Sequence, residues 1–309
     1  MSVKITKGGE FLIAESDCQT IFTPEDFSDE QRAIAATTEQ FVAEEILPHL
    51  EEIENQDFSH VVNGMRKCGE LGLLMMDAAE ADGGLELDKA TSMLVVEKIA
   101  ASGSFSVAYA AHSGLGTLPL TYSATAEQKE KYLDKLITGQ WCAAYSLTEP
   151  GSGSDALSVQ TTATLSKDGS HYLLNGTKQY TTNGGFAEFF IVFAKIDKEH
   201  FTAFLVEKSF PGLIIGNEEK KMGIKGSSTT QIILDNCRVP VENLLGEIGK
   251  GHKIAFNVLN IGRFKLGAGV TGAAKMALAE GIRYANQRKQ FGQPIAAFGA
   301  IKEKVADLT

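Results

Sequence analysis

Three short segments carry residue types suited to a flat, acceptor-rich, anionic ligand. The first is Tyr145-Ser-Leu-Thr-Glu-Pro-Gly-Ser-Gly-Ser-Asp155. Gly151 and Gly153 let backbone N–H groups turn toward an acceptor, and Ser152 and Ser154 add hydroxyl donors. The second is Lys178-Gln-Tyr-Thr-Thr-Asn-Gly-Gly185, an aromatic and two hydroxyls ahead of a tight turn. It offers a wall and a donor to a heterocycle. The third, Arg288-Lys-Gln-Phe-Gly292, offers a guanidinium whose fork matches phosphate. Taken singly, each also has an ordinary reading. The first serves as a polar interdomain turn. The second is a hairpin end made of good β-formers. The third is an Arg complementing a helix C-terminus.

The elements that must position these segments follow from periodicity. Up to about residue 140 the pattern is helical. Ser28 with Gln31 forms a capping box, and an apolar stripe of Ile34, Phe41, Val42 and Ile46 runs until Pro48. Thr125 with Gln128 opens a second such helix. Residues 159 to 235 then turn to short runs of Thr, Tyr, Phe, Val and Ile between turn signals. In HYLL-NG-TKQY the Asn175-Gly176 pair predicts a hairpin. Residues 252 to 288 return to the helical period, Pro294 is expected to break it, and a last helix begins near Ala300. The expected organisation is an N-terminal arm (1–25), an N-terminal helical bundle (26–142), a middle antiparallel β-barrel-like domain (143–247) and the start of a C-terminal helical bundle (248–309). The fold class is therefore α+β and multidomain.

Bulk properties narrow the function. A net charge of −10 over 309 residues argues against a nucleic-acid binder. No apolar run reaches about 18 residues, so no transmembrane segment is expected. The N-terminal MSVKITKGGE lacks the apolar stretch of a secretory signal. Cys18, Cys68, Cys142 and Cys237 are scattered, which reads as reduced thiols and a cytoplasmic location. The six His show no metal-ligand spacing, so no metal site is expected. A nicotinamide fingerprint after a strand and a GxSxG elbow are both absent.

The order of the motifs says more than any one of them. TEPGSGSD, the x-T-N-G-G turn, KKMGIKGSST, DNCRVPVENLLGE and RKQFG follow one another as in the acyl-CoA dehydrogenases, which this chain resembles from about Phe22 to Thr309. With IGRFKLGAGVTG and FTPEDFSDEQ, it looks most like the very-long-chain branch. The resemblance implies an FAD-dependent oxidoreductase of fatty-acid β-oxidation that converts a fatty acyl-CoA to the trans-2-enoyl-CoA. It implies that FAD meets Tyr145, Leu147, Thr148, Gly153 and Ser154, with Ser154 also near the CoA arm. Tyr180, Thr181 and Thr182 stand where the family usually has Trp-Ile-Thr, so Tyr180 would flank the flavin ring and Thr182 would reach toward its N5. Arg288, Gln290, Phe291, Phe298 and Gly299 match positions that reach FAD, the first three from a neighbouring subunit, which implies a homodimer or homotetramer. Asn260, Ile261, Gly262 and Arg263 match the stretch that meets the acyl-CoA. An electron-transfer flavoprotein is the implied acceptor; an acyl-CoA oxidase or a non-catalytic binding protein on the same fold are the alternatives.

A carboxylate must take the α-proton of the thioester. In most of the family it lies beyond the position matching Thr309, and in a minority at the position of Gly262. No catalytic residue is therefore expected in these 309 residues, and Glu247, Glu280 and Glu303 read as solvated charges. The chain is expected to be an inactive fragment of a dehydrogenase. Small residues at Ala108, Ala110 and Ala111 predict a deep tail pocket.

Overall fold

A computed structural model describes Thr6 and residues 8–309; residues 1–5 and 7 of the N-terminal arm lie outside the described residues. Helix α1 (Asp29–Phe41) begins at the expected box, with Gln31 N–H donating to Ser28 Oγ (3.1 Å) and Ser28 N–H to Gln31 Oε1 (2.9 Å). Pro48 does not end the helical path. It falls in the first turn of a tight segment, Leu47–His49, where a missing N–H breaks no helical bond, and α2 (Leu50–Glu54) follows. Helices α3 (Phe58–Glu70), α4 (Lys89–Ile99), α5 (Ser104–Ala110), α6 (Leu118–Ser123) and α7 (Ala126–Ile137) complete this part. Their apolar faces enclose Phe41, Ile46, Met65, Val95, Phe105 and Tyr109. Between α5 and α6 the chain widens into a π-type turn, Ala111–Gly116, a device often found at functional sites.

The middle region is one eight-stranded sheet. Its strands are β1 (Ala143–Ser146), β2 (Thr162–Leu165), β3 (His171–Thr182), β4 (Phe189–Ile196), β5 (His200–Glu207), β6 (Leu213–Glu218), β7 (Thr229–Pro240) and β8 (Leu244–Leu245), in spatial order β6-β7-β3-β2-β4-β5-β8, with β1 also on β4. It is largely antiparallel, but β1–β4 and β2–β4 pair parallel, because the chain leaves β1 through residues 147–161 and re-enters beside the same strand. The run Phe-Phe-Ile-Val-Phe-Ala of β4 is buried on both faces. Phe189, Ile191 and Phe193 face the helices, while Phe190, Val192 and Ala194 enter a second core with Tyr172, Phe204 and Ile232.

The hairpin expected at Asn175-Gly176 does not form; β3 passes straight through it. Gly176 is needed for a different reason. A Cβ there would lie 2.4 Å from Thr161 Oγ1, so the glycine lets β3 approach the segment that leads into β2. The turn falls earlier, at Asp168-Gly169, with Gly169 at φ +70°.

Helix α8 (Gly251–Gln287) is one rod about 55 Å long at 1.5 Å per residue. It ends at Gln287, seven residues before Pro294, and its last residues lead into a two-residue hairpin turn, Phe291-Gly292, with both φ positive (+49° and +77°). Helix α9 (Gly299–Leu308) follows. The start of α8 packs on the sheet and along α4. At Gly272 the approach to α4 is closest: a Cβ would stand 1.9 Å from the Glu97 carbonyl oxygen.

Two buried polar ties join helices to sheet. His112 Nδ1 accepts from Ala143 N–H (2.9 Å), so its other nitrogen carries the proton and donates to the Leu136 carbonyl (3.0 Å). Burial pushes this imidazole down to about 4, and it is neutral at pH 7. Asn183 Nδ2 donates to the carbonyls of Ala108 (3.0 Å) and Ala143 (3.1 Å). The asparagine of the x-T-N-G-G turn is thus a structural tie.

Candidate functional site

The first group of site residues is assembled where the end of β1 meets the end of β3. Gln179 N–H donates to the Thr148 carbonyl (2.8 Å), and Ser146 Oγ lies 3.1 Å from Thr181 Oγ1. The loop after β1 is anchored by Glu149, 6% exposed. Its carboxylate accepts from Lys178 Nζ (2.7 Å), Gln160 N–H (2.6 Å), Thr161 N–H (3.1 Å) and the Thr161 hydroxyl. Lys178 is fully buried and also reaches the Leu147 carbonyl (3.3 Å). Burial works to raise the Glu149 carboxyl, but the Lys178 charge and these hydrogen bonds outweigh it and hold it below the usual range. Burial pushes Lys178 down to about 8 against the pull of Glu149.

So Glu149 and Lys178, which sequence alone did not single out, set the frame, and the ligand-type residues hang from it. Ser152 turns inward, its hydroxyl donating to the Asp155 carbonyl (2.6 Å). Gly153 and Ser154 stay exposed, and their amides donate to no backbone acceptor among the described residues. Tyr180 projects from an irregularity near the end of β3, 62% exposed and at φ +55°, a strained conformation for a bulky residue. Tyr145 points the other way. It stacks edge-on against Phe193, its hydroxyl is buried without a hydrogen-bond partner, and burial pushes that phenol well up.

Thr182 opens onto the second feature, a cleft of about 740 Å³ between α4, α5, the π-type turn and α8. Its walls are apolar: Val96, Ile99, Val107, Leu115 and Val270 are representative. Gly262 and Arg263 line it, whereas Asn260 and Ile261 do not; Asn260 instead accepts from the Arg263 guanidinium (2.8 Å). Ala110 and Ala111 line the cleft as the deep-pocket reading requires, but Ala108 is sealed in the core behind it. Glu54 is the one carboxylate in this lining. Both its oxygens are engaged, by the Ser104 hydroxyl and the Lys225 N–H (3.0 Å). Glu247, Glu280 and Glu303 lie outside the cleft; Glu247 and Glu303 are exposed, and Glu280 pairs with Arg283. The α8 lining residues at 262, 266, 269, 270 and 273 lie at helical spacing, a signal the sequence carries, whereas the facing wall comes from residues far away in the chain.

The third group stands apart. Arg288 caps α8, donating its N–H to the Tyr284 carbonyl (2.8 Å), and Gln290 and Gly299 are exposed. Phe291 is 92% exposed and meets Phe298 edge-on at 6.2 Å. None of these shares a hydrogen bond or ring contact with residues 145–182 among the described residues.

Comparison with known proteins agrees with this architecture. The chain matches the acyl-CoA dehydrogenase N-terminal domain over residues 28–140, the middle domain over 144–237 and the C-terminal domain over 249–309. A probable acyl-CoA dehydrogenase of Bacillus subtilis (strain 168) is 54% identical over 304 residues, covering 98% of this chain and 51% of the relative. The human mitochondrial very long-chain specific acyl-CoA dehydrogenase is 42% identical over 253 residues, 79% of this chain and 38% of the relative. Among solved structures, an acyl-CoA dehydrogenase complexed with FAD from Bacillus anthracis superimposes with a TM-score of 0.95 at 55% identity, over 98% of this chain and 52% of that one. The chain belongs to the acyl-CoA dehydrogenase family. It spans about half the length of the Bacillus relatives it matches. Among the described residues no helix is long and apolar enough to cross a membrane.

Proposed function

We propose that this chain holds FAD at the β1–β3 edge and a fatty acyl-CoA in the adjoining cleft, for α,β-dehydrogenation of the thioester. The observation that carries the reading is the continuity of the two: Thr182 belongs to the polar edge and to the apolar cleft at once. The residues fit a flavin. Exposed Tyr180 offers a flat face, Gly153 and Ser154 offer free amides, Thr148 and Thr182 offer hydroxyls, and Leu147 and Thr181 are held behind them. Bound there, a flavin supplies the acceptor for the hydride that leaves the β-carbon.

The protein's own part is positioning and exclusion of water. Arg263, steadied by Asn260, stands at the cleft with its charge available to the CoA arm, and Gly262 leaves room beside Leu115. The apolar walls take the tail, and each methylene buried is worth about 0.8 kcal/mol, so long tails are favoured. The exposed Arg288, Gln290, Phe291 and Gly299, with the half-buried Phe298 beside Phe291, suit contact with the cofactor of a second copy, as a homodimer or homotetramer would provide. An electron-transferring flavoprotein is the proposed acceptor, in fatty-acid β-oxidation in the cytoplasm. With Glu54 engaged and Gly262 at the cleft, residues 1–309 bind the thioester without oxidising it.

The test is anaerobic titration of the FAD-saturated chain with palmitoyl-CoA and butyryl-CoA. Palmitoyl-CoA is expected to bind more tightly, with the flavin remaining oxidised. Equal affinities would remove the tail pocket from the account. Sustained bleaching would place a working base within these residues.

A further inference from the structure

Three charged residues line the mainly apolar cleft, Glu54, Arg263 and Lys265, and of these only Lys265 is buried, at 2% exposed. Its ammonium lies 2.7 Å from Asp77 Oδ2, and Asp77 is not part of the lining. The charged end therefore leaves the cleft, and the methylene stem is what faces it. Asp77 follows α3 in the helical domain and is gripped from three sides: by Lys265, by the Lys89 ammonium, and by the Ser92 hydroxyl at 3.2 Å. Burial works to raise the Asp77 carboxyl, and the two lysines outweigh it, so the carboxylate is charged.

A leucine or methionine would fill such a wall without the desolvation cost of a buried ammonium. What the lysine adds is a fixed far end. The residues around the stem are small: Gly262 and Gly269 flank it on α8, and Gly114 stands across from it, where an added Cβ would lie 3.7 Å from Lys265 Cδ. Without the ion pair, packing against these small residues alone would hold the stem in the wall.

We propose that Lys265 is a specificity-determining residue of the cleft: its stem, pinned by Asp77, is a rigid wall that passes straight acyl tails and excludes branched ones. This rests on the reading that the cleft takes an acyl chain. The pin also crosses between the helical domain and α8, so the two walls of the cleft keep a set spacing. Removing Lys265 leaves Asp77 paired with Lys89, so no carboxylate is orphaned by the test.

The experiment is calorimetric binding of isomeric S-alkyl thioethers of CoA to the full chain. One carries a straight tail and the others a single methyl branch at successive positions. In the unaltered protein the straight isomer is expected to bind best. Lys265→Ala should narrow the preference by about fourfold for the branch nearest the lost stem, the worth of one buried methyl group. Lys265→Met keeps the volume and loses the pin, and should narrow it by a smaller factor; it decides the matter alone if the alanine variant does not fold. An unchanged ratio overturns the proposal. So does an equal loss for all isomers, which would mark Lys265 as merely structural. If the unaltered protein binds no thioether, the cleft reading itself falls, and this inference with it.

Discussion

Helix α8 is two different objects along its length. Its N-terminal part, residues 251–272, with Ile254, Ala255, Val258, Lys265 and Gly272 buried, is a wall built against the sheet and α4. Its remainder, residues 273–287, has Ala285 as its one buried residue, and beyond it Phe291 and Leu308 stand 92% and 70% exposed. The difference divides the proposed site. Residues around Thr148, Tyr180 and Gly262 are held by the fold of this chain. Those from Arg288 to Gly299 are displayed by it. Substitutions should follow the same division, costing stability in the first region and binding alone in the second.

The largest effect is expected at Lys178. Lys178→Ala leaves the Glu149 carboxylate buried without its counter-ion, at a cost of about 3–5 kcal/mol. Chemical denaturation measures it; a loss below about 1 kcal/mol would mean the loop after β1 does not hang on that pair. Next is Gly272→Ala, which drives a methyl into the Glu97 carbonyl and should cost about 2–3 kcal/mol as α8 and α4 part. Gly281→Ala meets open space in the exposed part and should instead stabilise, by about 0.5–1 kcal/mol. Equal effects on melting would erase the contrast between the two parts.

A smaller effect depends on pH. The His112 imidazole is held near 4 in the folded state against an ordinary 6.5. Between these values the unfolded chain binds the extra proton, so stability falls as pH drops from about 6.5 to about 4 and is unaffected by this group above that window. His112→Gln should remove a pH-dependent change on the order of 3 kcal/mol across the window. Parallel stability curves for the two proteins would show that the ring does not titrate this way. Least costly to the fold is Arg288→Ala, expected to change stability by under about 0.5 kcal/mol at an exposed position. Its effect should appear as weaker FAD retention, and unchanged flavin content would remove Arg288 from the phosphate role.

Much of this was legible in the chain. The capping boxes at Ser28 and Thr125 gave helix starts to the residue, because the signal is local. The whole of α8 was visible, since 37 residues without proline and with a helical period leave few alternatives. Asn175-Gly176 misled for a physical reason: the same pair that makes a type I′ turn also permits close packing of a strand on a neighbouring segment, and only tertiary structure decides. The Arg288, Tyr180 and Thr182 positions came from motif order. By contrast, the Asp77–Lys265 and Glu149–Lys178 pairs join residues far apart in sequence, and Glu54 reaches the cleft from a helix with no motif at all. No local pattern encodes such meetings.

The most direct test of the central claim is hydrogen exchange of the full chain with and without a long straight S-alkyl thioether of CoA. The cleft account predicts slower exchange in residues 96–111 and in residues 262–273, with residues 276–308 unchanged. Protection confined to residues 276–308, or absent from both cleft walls while the thioether is bound, would contradict it.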